Sequence, residues 1–184
     1  MGRKSHARAL SVWANGQRVG TWVIPARGEV EFTYDAKWMD SADGRPLSLS
    51  LPYTGSKALK GGRVSNYFDN LLPDSEPIRR RLATRFKTGT TGAFDLLQAI
   101  GRDCVGAVQL LVVDEVPVGL KSIEGTPLSE DDVEQLLLQT TTTGPLANLN
   151  DYEGLRLSLA GPQARPALPW LHGSWTRPLG PPPP

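Results

Sequence analysis

Cysteine and histidine are nearly missing from this 184-residue sequence, and each shortage removes a class of chemistry. With Cys104 as the single cysteine, no intramolecular disulfide can close and no thiolate metal cluster can be assembled. His6 and His172 stand near opposite ends without metal-ligand spacing, so a reducing, cytoplasmic setting is expected. Net charge is small as well: a formal +1 removes any broad electrostatic case for nucleic acid or membrane and leaves only local basic patches. No apolar run approaches the roughly 18 residues of a bilayer span. The opening Met1-Gly2-Arg3-Lys4-Ser5-His6 is basic, but Asn15, Gly16, Gln17 and Arg18 break the apolar stretch behind it, which excludes a secretory h-region.

What is present begins with β-type runs. Ala9 to Ala14 and Val19 to Ile24 flank Asn15-Gly16, a dipeptide suited to the positive φ angles of a tight hairpin. Glu29 to Tyr34 alternates polar and apolar residues and predicts a half-buried third strand. Pro46-Leu47-Ser48-Leu49-Ser50-Leu51-Pro52 alternates strictly, which predicts an extended edge segment with three leucines on one face.

The middle is helical by spacing. Val64, Phe68, Leu71 and Leu72 share a face with Tyr67 beside them, and Pro73 stops that helix. Asp74-Ser75 offers a cap for a second helix carrying Ile78, Leu82 and Phe86. Phe94, Leu96, Leu97 and Ile100 mark a third, ended by Gly101. Val105 to Val113 is a continuous apolar run of buried-strand length, and Ser129 caps a further helix with Glu130, Asp131 and Asp132 in its first turn. Val133, Leu136 and Leu137 are the apolar positions of that helix, and Leu155 to Leu159 alternates as a strand. Prolines 162, 166, 169, 178 and 181–184 then predict an exposed tail that neither supplies strand donors nor continues a helix. The fold class is α+β: a small antiparallel sheet, a helical cluster, and an incomplete second unit.

Several segments, in order, resemble the HipA family of toxin-type serine/threonine protein kinases. They are Trp13 to Gly20, Arg45 to Pro52, Tyr67 to Ser75, Phe94 to Leu97, Gly101 to Val108, and Leu157 to Gln163, whose last part is similar to the family's serine-bearing glycine loop. The resemblance implies an amino-terminal subdomain over 1–113 and the start of a kinase-like core, an incomplete amino-terminal lobe, over 114–163; the prolines leave a tail over 164–184 that is expected to be disordered. The resemblance also implies ATP and Mg for the full-length family, whose nucleotide-contacting lysine and catalytic and metal-binding aspartates lie beyond the glycine loop. No cofactor is expected for this chain, and no catalysis by it alone.

Phosphoryl transfer rests on positioning and charge neutralisation, and only a loop remnant is legible here: Ala160, Gly161, Gln163 and Arg165. Pro162 and Pro166 each remove a backbone N–H of the kind a phosphate loop uses. Ser158 matches the serine that family members autophosphorylate, although alternation alone also places a polar residue there. Arg79, Arg80, Arg81, Arg85 and Lys87 form a basic cluster that reads either as a solvated helix face or as a phosphate contact to DNA. Asp69, Asp74, Asp95 and Asp103 read as structural acids, Asp74 and Asp95 as helix caps, and Cys104 as a packing residue.

Three readings follow. The chain is a truncated, non-catalytic toxin; or it is a stand-alone subdomain that binds a separate kinase core or a HipB-like helix-turn-helix antitoxin, meeting DNA only through the latter; or it is a kinase completed by another chain.

Overall fold

Asn15 and Gly16 take φ values of 49° and 76°, the two left-handed residues that a type I′ turn requires. They join β1 (Arg8–Ala14) to β2 (Gln17–Ile24) with Ala14 opposite Gln17. A register shift after Val12 marks a bulge, because Val12 faces Gly20 while Trp13 faces Arg18. Gly20 is obligatory at this point: a Cβ there would lie 2.3 Å from the Thr33 carbonyl oxygen and 2.8 Å from the Phe32 ring. The computed structural model describes residues 7–55, 58–103, 108–117, 124–141 and 168–179.

β3 (Glu31–Tyr34) pairs with β2, β4 (Leu59–Lys60) pairs with β3, and β5 (Val108–Val112) returns to pair with β1, all antiparallel. The sheet order is therefore β4-β3-β2-β1-β5. One face carries Leu10, Val12, Trp22, Phe32 and Tyr34, all buried in the core. Against them pack Val64 and Phe68 of α2 (Gly62–Asp69) and Phe94 and Leu97 of α4 (Ala93–Ile100). Trp22 stacks on Phe68 with ring centroids 4.1 Å apart and leans on Phe94 at 4.9 Å. This aromatic cluster is the apolar payload that holds the helices to the sheet. On the opposite face of β1 and β5, Ser11, Gln109 and Leu111 are also buried, so the junction of these strands is covered on both sides.

Between the packed helices lies α3 (Glu76–Arg85), which buries no residue completely. The stripe read from Ile78, Leu82 and Phe86 is only partly realised: Leu82 packs against the core, while Phe86 is the C-cap residue and is exposed. Ser75 is the N-cap of α3 by position, yet its side chain makes no capping bond.

The leucine/serine segment is not a strand. The Ser48 hydroxyl accepts from the Ser50 N–H, and the Ser48 carbonyl accepts from the Leu51 N–H, so the chain turns instead of extending. Local side-chain bonding of this kind competes with ladder formation. Leu51 is then fully buried and Leu49 fully exposed, so the leucines do not share a face. The short α1 (Ala36–Met39), capped by Asp35, delivers Trp38 to the core.

Past β5, β6 (Glu124–Pro127) leads into α5 (Glu130–Thr141). Ser129 and Asp132 close a reciprocal capping box: the Ser129 hydroxyl accepts from the Asp132 N–H at 3.1 Å, and the Asp132 carboxylate accepts from the Ser129 N–H at 3.0 Å. Residues 168–179 correct the expectation of a structureless tail. β7 (Trp170–Leu171) and β8 (Ser174–Leu179) form a hairpin about His172-Gly173, whose φ values of 50° and 82° repeat the geometry of the first turn. β8 also pairs with β6, giving the order β6-β8-β7. Pro178 stands in β8 opposite Gly125 of β6, while among the described residues β7 pairs with β8 only at Ser174 and Trp175.

Candidate functional site

Ser158 and the loop residues Ala160, Gly161, Gln163 and Arg165 lie outside the described residues, as do Cys104 and the Leu155 to Leu159 run. The basic cluster lies inside them, on α3, and its members are not equivalent. Arg79 is drawn inward: its guanidinium donates to both carboxylate oxygens of Asp69, at 2.7 and 3.1 Å, and its Nε donates to the Pro73 carbonyl at 2.6 Å. Only 12% of the Arg79 side chain remains exposed, and the hydrogen bond to Asp69 raises its already high pKa. A bidentate carboxylate pair plus a carbonyl uses most of the guanidinium fork. Arg79 therefore splices the end of α2 to the start of α3.

Of the other basic residues, Arg80, Arg81 and Lys87 are exposed and Arg85 is half-buried. Arg80 reaches Glu76 one turn earlier, a solvent-exposed i,i+4 pair of small energetic weight. Arg81 donates to the Pro77 carbonyl, and Arg85 lies over the Phe86 ring at 5.5 Å. Lys87 follows in a left-handed conformation, φ 52°, that ends the segment.

Two further anchors had no signal in the sequence. The Tyr34 hydroxyl donates to the Leu51 carbonyl at 2.6 Å and accepts from the Leu47 N–H at 2.8 Å, tying down both sides of the loop that displays Leu49. Burial pushes the Tyr34 phenol up to about 12. Arg8, at the start of β1, pairs with Asp95 in the first turn of α4 and lies over the Phe94 ring at 4.6 Å. Burial alone would raise the Asp95 pKa, but the Thr90 hydroxyl and the Arg8 guanidinium outweigh it and hold the carboxyl below its ordinary value. Asp95 is thus a tertiary clamp and not the cap read from the sequence; Gly92 occupies the N-cap. Arg8 and Asp95 are 87 residues apart, so no local pattern announces the pair.

Several apolar side chains at and after the end of the last strand of the first sheet are exposed. Val112, Val113 and Val116 are exposed where the chain leaves β5, Leu137 and Leu138 on α5, and Trp170 and Trp175 on the β7–β8 hairpin. Among the described residues no group of three or more acidic, cysteine or histidine side chains could hold a metal ion, and no helix is long and apolar enough to cross a membrane.

Three comparisons bear on these features. The family model described as the HipA N-terminal domain matches residues 10–111. The Sinorhizobium fredii protein called "Putative kinase Y4mE" is 35% identical over 177 residues, which is 94% of this chain and 40% of that protein. A chain of the solved complex of the Shewanella oneidensis MR-1 toxin–antitoxin system, HipA, HipB and its operator DNA, superposes with a TM-score of 0.63 at 24% identity. That superposition covers 93% of this chain and 38% of the other, and it bears on the fold alone. The chain spans about 40% of the length of the curated relative it matches. The matched segment 10–111 runs from the third residue of β1 to the fourth of β5, the strand whose pairing with β1 completes the five-stranded sheet. This chain belongs to the HipA N-terminal domain family.

Proposed function

We propose that this chain is the front portion of a HipA-type toxin, silent in phosphoryl transfer by itself, and that it works by binding a partner. The observation that carries the reading is the coincidence of the family match with a self-contained core. Residues 10–111 hold nearly all of the five-stranded sheet and the helices that cover it. Such a unit folds on its own contacts and does not depend on a kinase body for its core.

The relatives support two partner classes. The curated relative is much longer than this chain, and the apolar side chains of Val113 and Val116 stand exposed where the chain leaves the first sheet. A surface of this kind is covered by another protein or by self-association. A separate kinase core fits the first option. A HipB-like antitoxin fits it too, since the solved neighbour is a complex containing HipB and operator DNA. DNA would then be met through the antitoxin, with Arg80, Arg81, Arg85 and Lys87 as candidate phosphate contacts and Arg79 holding the helix that presents them. Ser158 remains a candidate phosphoacceptor, and Ala160, Gly161, Gln163 and Arg165 a remnant of a nucleotide loop.

The catalytic part of the proposal is tested by incubating the purified chain with labelled ATP and Mg. No phosphate is expected on Ser158 or on added protein substrate. Magnesium-dependent labelling of either would overturn it.

A further inference from the structure

On the face of β1 and β5 turned away from the core, two polar atoms are buried without a hydrogen-bond partner: the indole Nε1 of Trp13 and the amide Oε1 of Gln109. They belong to one place. Trp13 and Gln109 stand directly opposite each other in the antiparallel ladder. Their neighbours Val12, Ala14, Val108 and Leu110 are core residues, so alternation puts both side chains on the other side of the sheet. Opposed side chains on one face leave the strands about 5 Å apart at Cβ, within reach of each other. Gln109 is only 7% exposed, and its amide has one fixed orientation. Nε2 donates to the Arg102 carbonyl at 3.0 Å, and reversing the amide would set two acceptors against each other. Oε1 is therefore an acceptor in need of a donor, and the Trp13 N–H is a donor in need of an acceptor.

We propose that one internal water molecule is bound between these side chains, accepting from the Trp13 indole N–H and donating to the Gln109 amide oxygen. The two groups make no direct bond, and a single water answers both. A buried water is held by roughly two to four polar partners, and this place offers two of opposite kind. Trp22 supplies the contrast. Its indole Nε1 is likewise buried without a partner, but its cross-strand neighbours are Leu10 and Phe32. A lone donor among apolar side chains gives a water no second bond, so none is assigned there. The Trp13–Gln109 water belongs to the β1–β5 pairing, which sets the last strand onto the five-stranded sheet. Gln109 thereby ties three pieces together: its own strand, the turn Gly101–Asp103 through the Arg102 carbonyl, and β1 through the water.

The test is water–protein NMR on the isotope-labelled full chain, with the Trp13 indole signal assigned by its loss in Trp13→Phe. The Trp13 indole proton is expected to show a cross-peak to water of opposite sign in NOE and ROE spectra. That sign pattern separates a bound water from proton exchange. The Trp22 indole shows no such peak and serves as the internal control. Gln109→Leu removes the acceptor and abolishes the Trp13 cross-peak, while an unshifted Trp22 signal reports that the core is retained. A crystal structure of the unmodified chain gives a reading that needs no variant: an ordered water within about 3 Å of both atoms. A Trp13 indole without a water cross-peak overturns the proposal. So does a cross-peak that survives in Gln109→Leu, or density that shows Trp13 Nε1 bonded directly to Gln109 Oε1.

Discussion

Arg79 closes on Asp69 with two parallel hydrogen bonds, and that pairing divides a run of basic residues that looks uniform in sequence. Arg79 secures the α2–α3 corner while Arg80 and Arg81 stay outside. Arg79→Ala is expected to lower stability by about 1–2 kcal/mol, a charge-assisted pair discounted for the half-exposed Asp69. Arg81→Ala should fall within about 0.5 kcal/mol of wild type. Urea midpoints for both variants check this, and equal effects would contradict the division.

Antitoxin-mediated DNA contact has a related signature. If Arg80 and Arg81 meet phosphates in the complex, replacing each by alanine weakens binding alike on all sequences and reduces the salt slope by about 1 per residue. Unchanged slopes would assign the outward arginines to solvent.

Tyr34 joins two ends of one loop, and its removal should be felt at Leu49. Tyr34→Phe leaves the Leu47 N–H and Leu51 carbonyl without their partner and is expected to cost about 1–3 kcal/mol. Chymotryptic cleavage after Leu49 should accelerate in the variant. A cleavage rate identical to wild type would mean that the loop is held by other contacts.

Asp95 supplies the acid dependence. Its folded pKa lies below the unfolded value, so the stabilisation is fully present above the ordinary carboxylate range of about 4 and is lost as pH falls through the folded pKa. Asp95→Asn should therefore be less stable than wild type at neutral pH, with the gap narrowing on acidification. A gap that holds constant down to pH values where the protein unfolds would remove Asp95 from that role.

Gly20 tests the packing of the bulge. Gly20→Ala places a methyl group against the Thr33 carbonyl, where backbone has to move, and is expected to cost about 2 kcal/mol or more. Gly62→Ala meets no atom within 4 Å and serves as the control.

Much of this fold was legible because local chemistry and tertiary outcome agree. Asn15-Gly16 made its hairpin, the Val64/Phe68 stripe packed inward, and Ser129 with Asp132 closed the box at α5. Legibility failed where the same residues had two local options. Ser48 could punctuate a strand or bend the chain with its hydroxyl, and it bent the chain. The prolines of 168–179 suggested loop, but His172-Gly173 is itself a hairpin turn and Pro178 lies in β8 opposite Gly125 of β6. Long-range clamps such as Arg8 with Asp95 have no local pattern at all.

The central claim is that this subdomain serves by binding. Its most direct test is light scattering after size-exclusion chromatography of the chain co-expressed, in turn, with a HipB-like antitoxin and with a separate HipA-type kinase core. The account predicts a co-eluting complex of defined stoichiometry with one of them, weakened by Val113→Asp with Val116→Asp. A chain that elutes free of both partners, with its own mass unchanged, would contradict it.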